Sequence, residues 1–160
     1  MINYFSGFTA LSRNLKSDIR NFPVIKVALV SDAATQFLKT GIKGIGIERG
    51  FNIDLFEADF NQVERQLLDL NSELFQYNPE FIIIFQSAQK LLNKYNAISE
   101  VNKSNLAIKR IEFLESACKN LNSKVIILNY PEIDDSIFGS YHSKVQHSFL
   151  YQINLFLVFQ

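Results

Sequence analysis

The sequence predicts an α/β domain built on a parallel, doubly wound sheet. Three observations carry that reading. Short apolar, β-branched runs recur along the chain, segments with helical periodicity separate them, and the two kinds alternate in order. The first run is Val24-Ile25-Lys26-Val27-Ala28-Leu29-Val30, entered from Pro23. The second, Phe81-Ile82-Ile83-Ile84-Phe85, follows Asn78-Pro79, and the third, Lys124-Val125-Ile126-Ile127-Leu128-Asn129, is closed by Pro131. Runs that are apolar without alternation are expected to be buried on both faces, as in a parallel sheet covered by helices. Asn52-Ile53-Asp54-Leu55-Phe56-Glu57 alternates instead and reads as an edge strand.

The helical segments follow from three- and four-residue spacing of apolar side chains. Residues 34–48 place Phe37, Leu38, Ile42 and Ile45 on one face, and residues 61–70 do the same with Val63, Leu67 and Leu70. Residues 103–121 carry the longest stripe: Ala107, Ile108, Ile111, Leu114, Cys118 and Leu121. A helix ahead of the first strand and a final one from about Ser143 complete a βαβ series, whose crossovers are right-handed. No linker, repeat or low-complexity tract interrupts it, so residues 1–160 read as one α/β domain. The segment from Phe149 to Phe159 is strongly apolar and then stops without a glycine or a polar tail. That ending is expected of a chain cut inside a larger protein, with a docked C-terminal helix or strand as the alternative.

Composition narrows the function classes. The chain has 160 residues and 18.4 kDa, 48% of them hydrophobic and 20% charged, which excludes a disordered polymer. Its 16 basic and 16 acidic side chains cancel, which argues against a nucleic-acid binder working by phosphate neutralisation. A single cysteine excludes an internal disulfide framework and fits a reducing cytoplasm, the expected location. No stretch reaches the roughly 18 to 20 apolar residues of a membrane span, and no secretory signal opens the chain.

In an open parallel sheet, ligands bind beyond the carboxyl ends of the strands, which directs attention to three loops. After the first strand comes Ser31-Asp32-Ala33-Ala34-Thr35, where Ser31 or Asp32 would cap the next helix and its amides would offer an anion or oxyanion site. Ser31 is a candidate nucleophile there, with Asp32 and Thr35 as candidate ligand-binding residues. After the Phe81–Phe85 run, Gln86 and Ser87 are candidate ligand-binding donors, with helix capping as the alternative for Ser87. After the last run come Asn129, a further candidate, and the adjacent Asp134 and Asp135, which in an extended segment diverge and read as a solvated loop. Gly41, Gly44, Gly46 and Gly50 do not match the dinucleotide-binding fingerprint, because Arg49 stands where its third glycine belongs, and close helix packing explains them better. Cys118 reads as a small core residue. His142 and His147 are five apart, about 140° around a helix, so no metal site is expected from them.

Several strings together resemble the N-terminal domain of FkbH-like proteins, of the HAD-superfamily phosphatase subfamily IIIC. They are Val27-Ala28-Leu29-Val30-Ser31-Asp32 with Thr35-Gln36-Phe37-Leu38; Glu57-Ala58-Asp59-Phe60 with Asp69-Leu70-Asn71-Ser72-Glu73-Leu74 and Asn78-Pro79-Glu80-Phe81; and Asn129-Tyr130-Pro131 through Phe138-Gly139-Ser140-Tyr141. The resemblance implies a three-layer α/β/α sandwich, flavodoxin-like and similar to the SGNH-hydrolase fold. It implies a chain that is the N-terminal part of a longer HAD-type protein, recognising a substrate or a carrier. Its partners would be a C-terminal HAD domain and an acyl carrier protein, with no nucleic acid and no membrane. No Asp-x-Asp-x-Thr/Val segment follows any strand here, so the HAD catalytic motif and its Mg²⁺ would lie in that other domain, leaving this one without a cofactor. Ser31 holds the place of the SGNH nucleophile but lacks the preceding Gly-Asp, and the late Asp-x-x-His is not recognisable. An SGNH-like hydrolase or acyl-transfer module using Ser31 is therefore the alternative, and a flavodoxin-like binder of a phosphorylated ligand is a third.

Overall fold

Four strands hydrogen-bond in the order β2-β1-β3-β4, every neighbouring pair parallel, in a computed structural model that describes residues 7–131, 133 and 138–158. They are β1 (Val24–Ser31), β2 (Asn52–Glu57), β3 (Phe81–Phe85) and β4 (Lys124–Ile127). The helices are α1 (Phe8–Asn14), α2 (Gln36–Glu48), α3 (Val63–Leu68), α4 (Glu73–Tyr77), α5 (Ala88–Ala97), α6 (Glu100–Lys103), α7 (Leu106–Cys118) and α8 (Phe149–Val158), with a 3₁₀ turn over Gly139–Lys144. The chain forms two compact units. One runs to Phe85 and takes in Asn122–Ile127, and so holds the whole sheet; the other comprises Gln86–Leu121 and the chain from Leu128 onward.

In the first unit β1 is the central element. It pairs with β2 from Val24↔Asn52 to Leu29↔Glu57, and with β3 from Val27↔Phe81 to Ser31↔Phe85. Its last five residues are all buried, as its unbroken apolar run predicts. The expectation of burial on both faces fails for β4, where Lys124 and Ile126 are exposed, and in β3 only Ile82 and Ile84 are fully buried. Position explains this: β4 closes one edge of the described sheet, pairs only with β3, and ends two residues early. β2 lies at the opposite edge, as its alternation predicts.

Helix α2 carries a correction. Phe37 and Ile45 are not on its core face; they are exposed by 78% and 39%. The buried residues are Gly44 and Gly46, because this helix packs through its smallest side chains. A Cβ on Gly44 would lie 2.5 Å from the Leu11 carbonyl oxygen of α1, and one on Gly46 would collide with Ile53 of β2. Leu70 and Ile108 are likewise exposed, whereas Val63, Leu67, Ala107 and Leu114 are buried as predicted. Helix α4 closes on Asn78 in the left-handed region at φ 48°, just before Pro79 and β3. Buried Gln66 joins α3 to α4, its amide donating to Glu73 at 2.6 Å and its carbonyl accepting from the Leu74 amide at 3.1 Å.

In the second unit, the long helix predicted over 103–121 is α7, shorter at both ends, and α5 and the short α6 precede it. The last helix begins at Phe149 rather than Ser143. Tyr95 and Phe149 are buried with ring centroids 5.4 Å apart, and the Tyr95 hydroxyl donates to the His147 carbonyl. Gln152 of α8 accepts from the Ala107 amide of α7 at 3.0 Å and donates to the Gln146 carbonyl at 2.7 Å. Cys118 is half-buried, and burial raises its thiol pKa. No helix among the described residues is long and apolar enough to cross a membrane.

The glycine packing is testable by paired substitution. Gly41 has no atom within 4 Å of a built Cβ, so Gly41→Ala gains helix propensity and stabilises by about 0.5 to 1 kcal/mol. Gly44→Ala meets backbone that cannot move aside and destabilises by about 1 to 3 kcal/mol. Urea midpoints that shift the same way for both variants would remove the packing explanation.

Candidate functional site

The register of β1 against β2 sets Leu29 opposite Glu57, and the Ala58 amide then donates to the Leu29 carbonyl at 3.0 Å. The carboxyl ends of the two strands are therefore adjacent, and the loops that leave them wall a cavity of about 300 Å³. Its lining includes Ser31, Thr35 and Gln36 from one side and Glu57, Asp59 and Phe60 from the other. Phe60 is 66% exposed, which presents an aromatic face at the rim.

Each polar group at the floor has a defined commitment. The Ser31 hydroxyl, buried at 5% exposure, accepts from the Ala33 amide at 2.9 Å and donates to the Ala33 carbonyl at 3.2 Å. This closes a local turn on the backbone, of the kind serines form in competition with helix capping. The Thr35 hydroxyl donates to Glu57, and the Lys39 ammonium pairs with the same carboxylate at 2.9 Å. Hydrogen bonding from Thr35, then from Lys39, holds the Glu57 carboxyl below the usual glutamate range, against a smaller opposing effect of burial.

Neither Ser31 nor Asp32 caps α2, contrary to the sequence expectation. The helix starts later, at Gln36, with Thr35 at the N-cap position, and Thr35 makes no side-chain cap because its hydroxyl is turned to Glu57. Asp32 lies half-buried in the turn between Ser31 and Ala33.

The remaining predicted residues belong to the second unit. Ser87 is the N-cap of α5, accepting from the Lys90 amide at 3.4 Å, which is the capping alternative. Gln86 accepts from the buried Tyr130 hydroxyl at 3.1 Å, and Asn129 is exposed. Asp134 and Asp135 lie outside the described residues. Among those described, no group of three or more His, Cys, Asp or Glu side chains is placed to hold a metal ion. Sequence reasoning from strand ends missed Lys39, Glu57, Asp59 and Phe60. The rule that favours the loops after β1 and β3 passes over the end of β2, and only the Glu57-Ala58-Asp59-Phe60 string pointed there.

Fold and site together define an α/β domain with a polar cavity at the carboxyl ends of a parallel sheet. Residues 26–158 match the FkbH N-terminal domain, and the chain belongs to that family. It is also similar to a crystal structure of the N-terminal part of the protein BF1531 from Bacteroides fragilis, described as containing a phosphatase domain and complexed with Mg. The identity is 45% and the TM-score 0.91 over 96% of this chain, which spans 41% of that one. No curated protein matches the chain.

The Glu57 cluster predicts a pH dependence with a definite sign. A carboxylate whose pKa is lowered on folding contributes stability that is full above the ordinary glutamate range and is lost as pH falls through the folded value. Glu57→Gln is therefore less stable than the wild type near neutrality, and the two converge in acid. Thermal unfolding of both proteins at a series of pH values checks this; a gap that persists undiminished at the acid end contradicts it.

Proposed function

We propose that this chain is a recognition domain that holds a substrate or carrier arm for the phosphatase or glyceryl-transfer domain of a longer FkbH-like, HAD-type protein. The observation that carries the reading is the state of Ser31. Its hydroxyl is buried and engaged twice by Ala33, and no described general base lies within hydrogen-bond distance of it. The unit that contains it has no histidine in its sequence. Gln36 and Asp59 in the cavity lining are suited to binding a ligand by hydrogen bonds, and the exposed Phe60 side chain lies at the rim. The similar structure includes a phosphatase domain and Mg, and this chain spans less than half of it, which agrees with chemistry residing elsewhere in such a protein. Mg²⁺ would belong to that domain, since no group of three or more His, Cys, Asp or Glu side chains among the described residues is placed to hold it.

The cavity volume of about 300 Å³ suits a short polar chain such as a phosphoglyceryl group or the end of a pantetheine arm. Titrating the 160-residue chain with phosphoglycerate and with pantetheine phosphate should move the amides of residues 33–36 and 57–60. Phe60→Ala should weaken that binding about fivefold, on the order of 1 kcal/mol. The competing hydrolase reading expects turnover of p-nitrophenyl esters that disappears in Ser31→Ala. Ester turnover of that kind would replace the recognition reading, and the absence of any ligand response at this cavity would end it.

A further inference from the structure

The cavity of about 300 Å³ at the carboxyl ends of β1 and β2 is one-sided in charge. Two acidic side chains, Glu57 and Asp59, line it, and no lysine, arginine or histidine does. The Lys39 ammonium stands outside the lining and pairs with Glu57 at 2.9 Å, so its charge balances that carboxylate. Asp59, exposed in the loop that leaves β2, has no cation in the lining to offset it.

Hydrogen-bond donors are as unevenly supplied. The Ser31 hydroxyl gives its proton to the Ala33 carbonyl, and the Thr35 hydroxyl gives its own to Glu57. Carboxylates accept only, so Gln36 is left as the side-chain donor of the lining. The positive end of α2 lies at the same wall and by itself would favour an anion. Glu57 already answers it, bonded to Thr35 at the N-cap position and kept ionised by the hydrogen bonds that lower its pKa. A phosphate entering here would find its counter-charge taken by Glu57 and a second acidic side chain in Asp59. Like charges a few ångströms apart repel even through water, and more strongly where protein replaces part of the solvent. Hydroxyl and amide N–H groups meet the opposite situation, because the lining is rich in acceptors.

We propose that this cavity takes an uncharged part of its ligand, one bearing hydroxyl or amide N–H groups, and leaves phosphate outside, with Asp59 as the residue that sets the preference. The inference rests on the recognition reading of the cavity and narrows it. Of a phosphoglyceryl group, the glyceryl end would enter; of a phosphorylated pantetheine arm, the amide portion would. The exposed ring of Phe60 at the rim offers contact to the carbon chain in either case.

The backbone amides of residues 33–36 and 57–60 in the ¹⁵N-labelled 160-residue chain report on binding. Pantetheine should bind about fivefold more tightly than pantetheine phosphate, or glycerol than glycerol phosphate, and the pair that responds names the source. Inorganic phosphate should leave these amides unmoved. Asp59→Asn, which keeps the shape and removes the charge, should bring the two members of the responding pair within about twofold. Added salt should narrow the same gap in the wild type. A phosphorylated ligand that binds as tightly as its uncharged counterpart, or a preference that survives Asp59→Asn, overturns this inference and leaves the recognition reading standing. Silence toward all four ligands ends both.

Discussion

Strand β1 is the constraint from which the first unit follows, because β2 joins one of its edges and β3 the other. A strand in that position can contain few polar side chains in its buried portion, and Val27–Val30 are all buried and apolar. The first polar residue after them is Ser31, at the point where the sheet ends. Its hydroxyl is answered at once by the backbone of Ala33. The place where the chain can first carry polar chemistry is thereby also the place where a buried polar group must be satisfied locally.

The same logic governs the other side of the cavity. Glu57 ends β2 opposite Leu29, and Thr35 and Lys39, four residues apart on the approach to and first turn of α2, converge on its carboxylate. That convergence depends on how closely α2 approaches β2, which the absent side chain of Gly46 permits against Ile53. Packing and electrostatics are coupled here: the glycine allows the approach, and the approach allows one carboxylate to hold both a hydroxyl and an ammonium. The cost is that the exposed apolar side chains of this helix, Phe37 above all, are turned toward solvent.

Membership of the FkbH N-terminal domain family accords with this economy of polar groups. The cavity at β1 and β2 has a floor whose hydrogen bonds are internally closed and a rim, formed by Asp59 and Phe60, that is open to solvent. Arg110 shows the opposite condition: its Nε and Nη2 atoms are buried without a hydrogen bond.

Much of this was legible in the sequence. The four strands, their parallel alternation with helices and the edge position of β2 follow from apolar runs and from Asn52–Glu57 alternation, since burial of strands leaves a local pattern in one dimension. The strings Val27–Asp32 and Glu57–Phe60 pointed to the family, and the loop after the first of them is one wall of the cavity. What periodicity misassigned was the face of α2, because a helix that packs through Gly44 and Gly46 inverts the rule that large apolar residues mark the core. The sequence by itself determined the fold class and one of the two loops that wall the cavity. The tertiary structure alone decided which polar groups are already answered, Ser31 by Ala33 and Glu57 by Thr35 and Lys39, and which, like Arg110, are not, because hydrogen-bond satisfaction depends on distances between residues far apart in the chain.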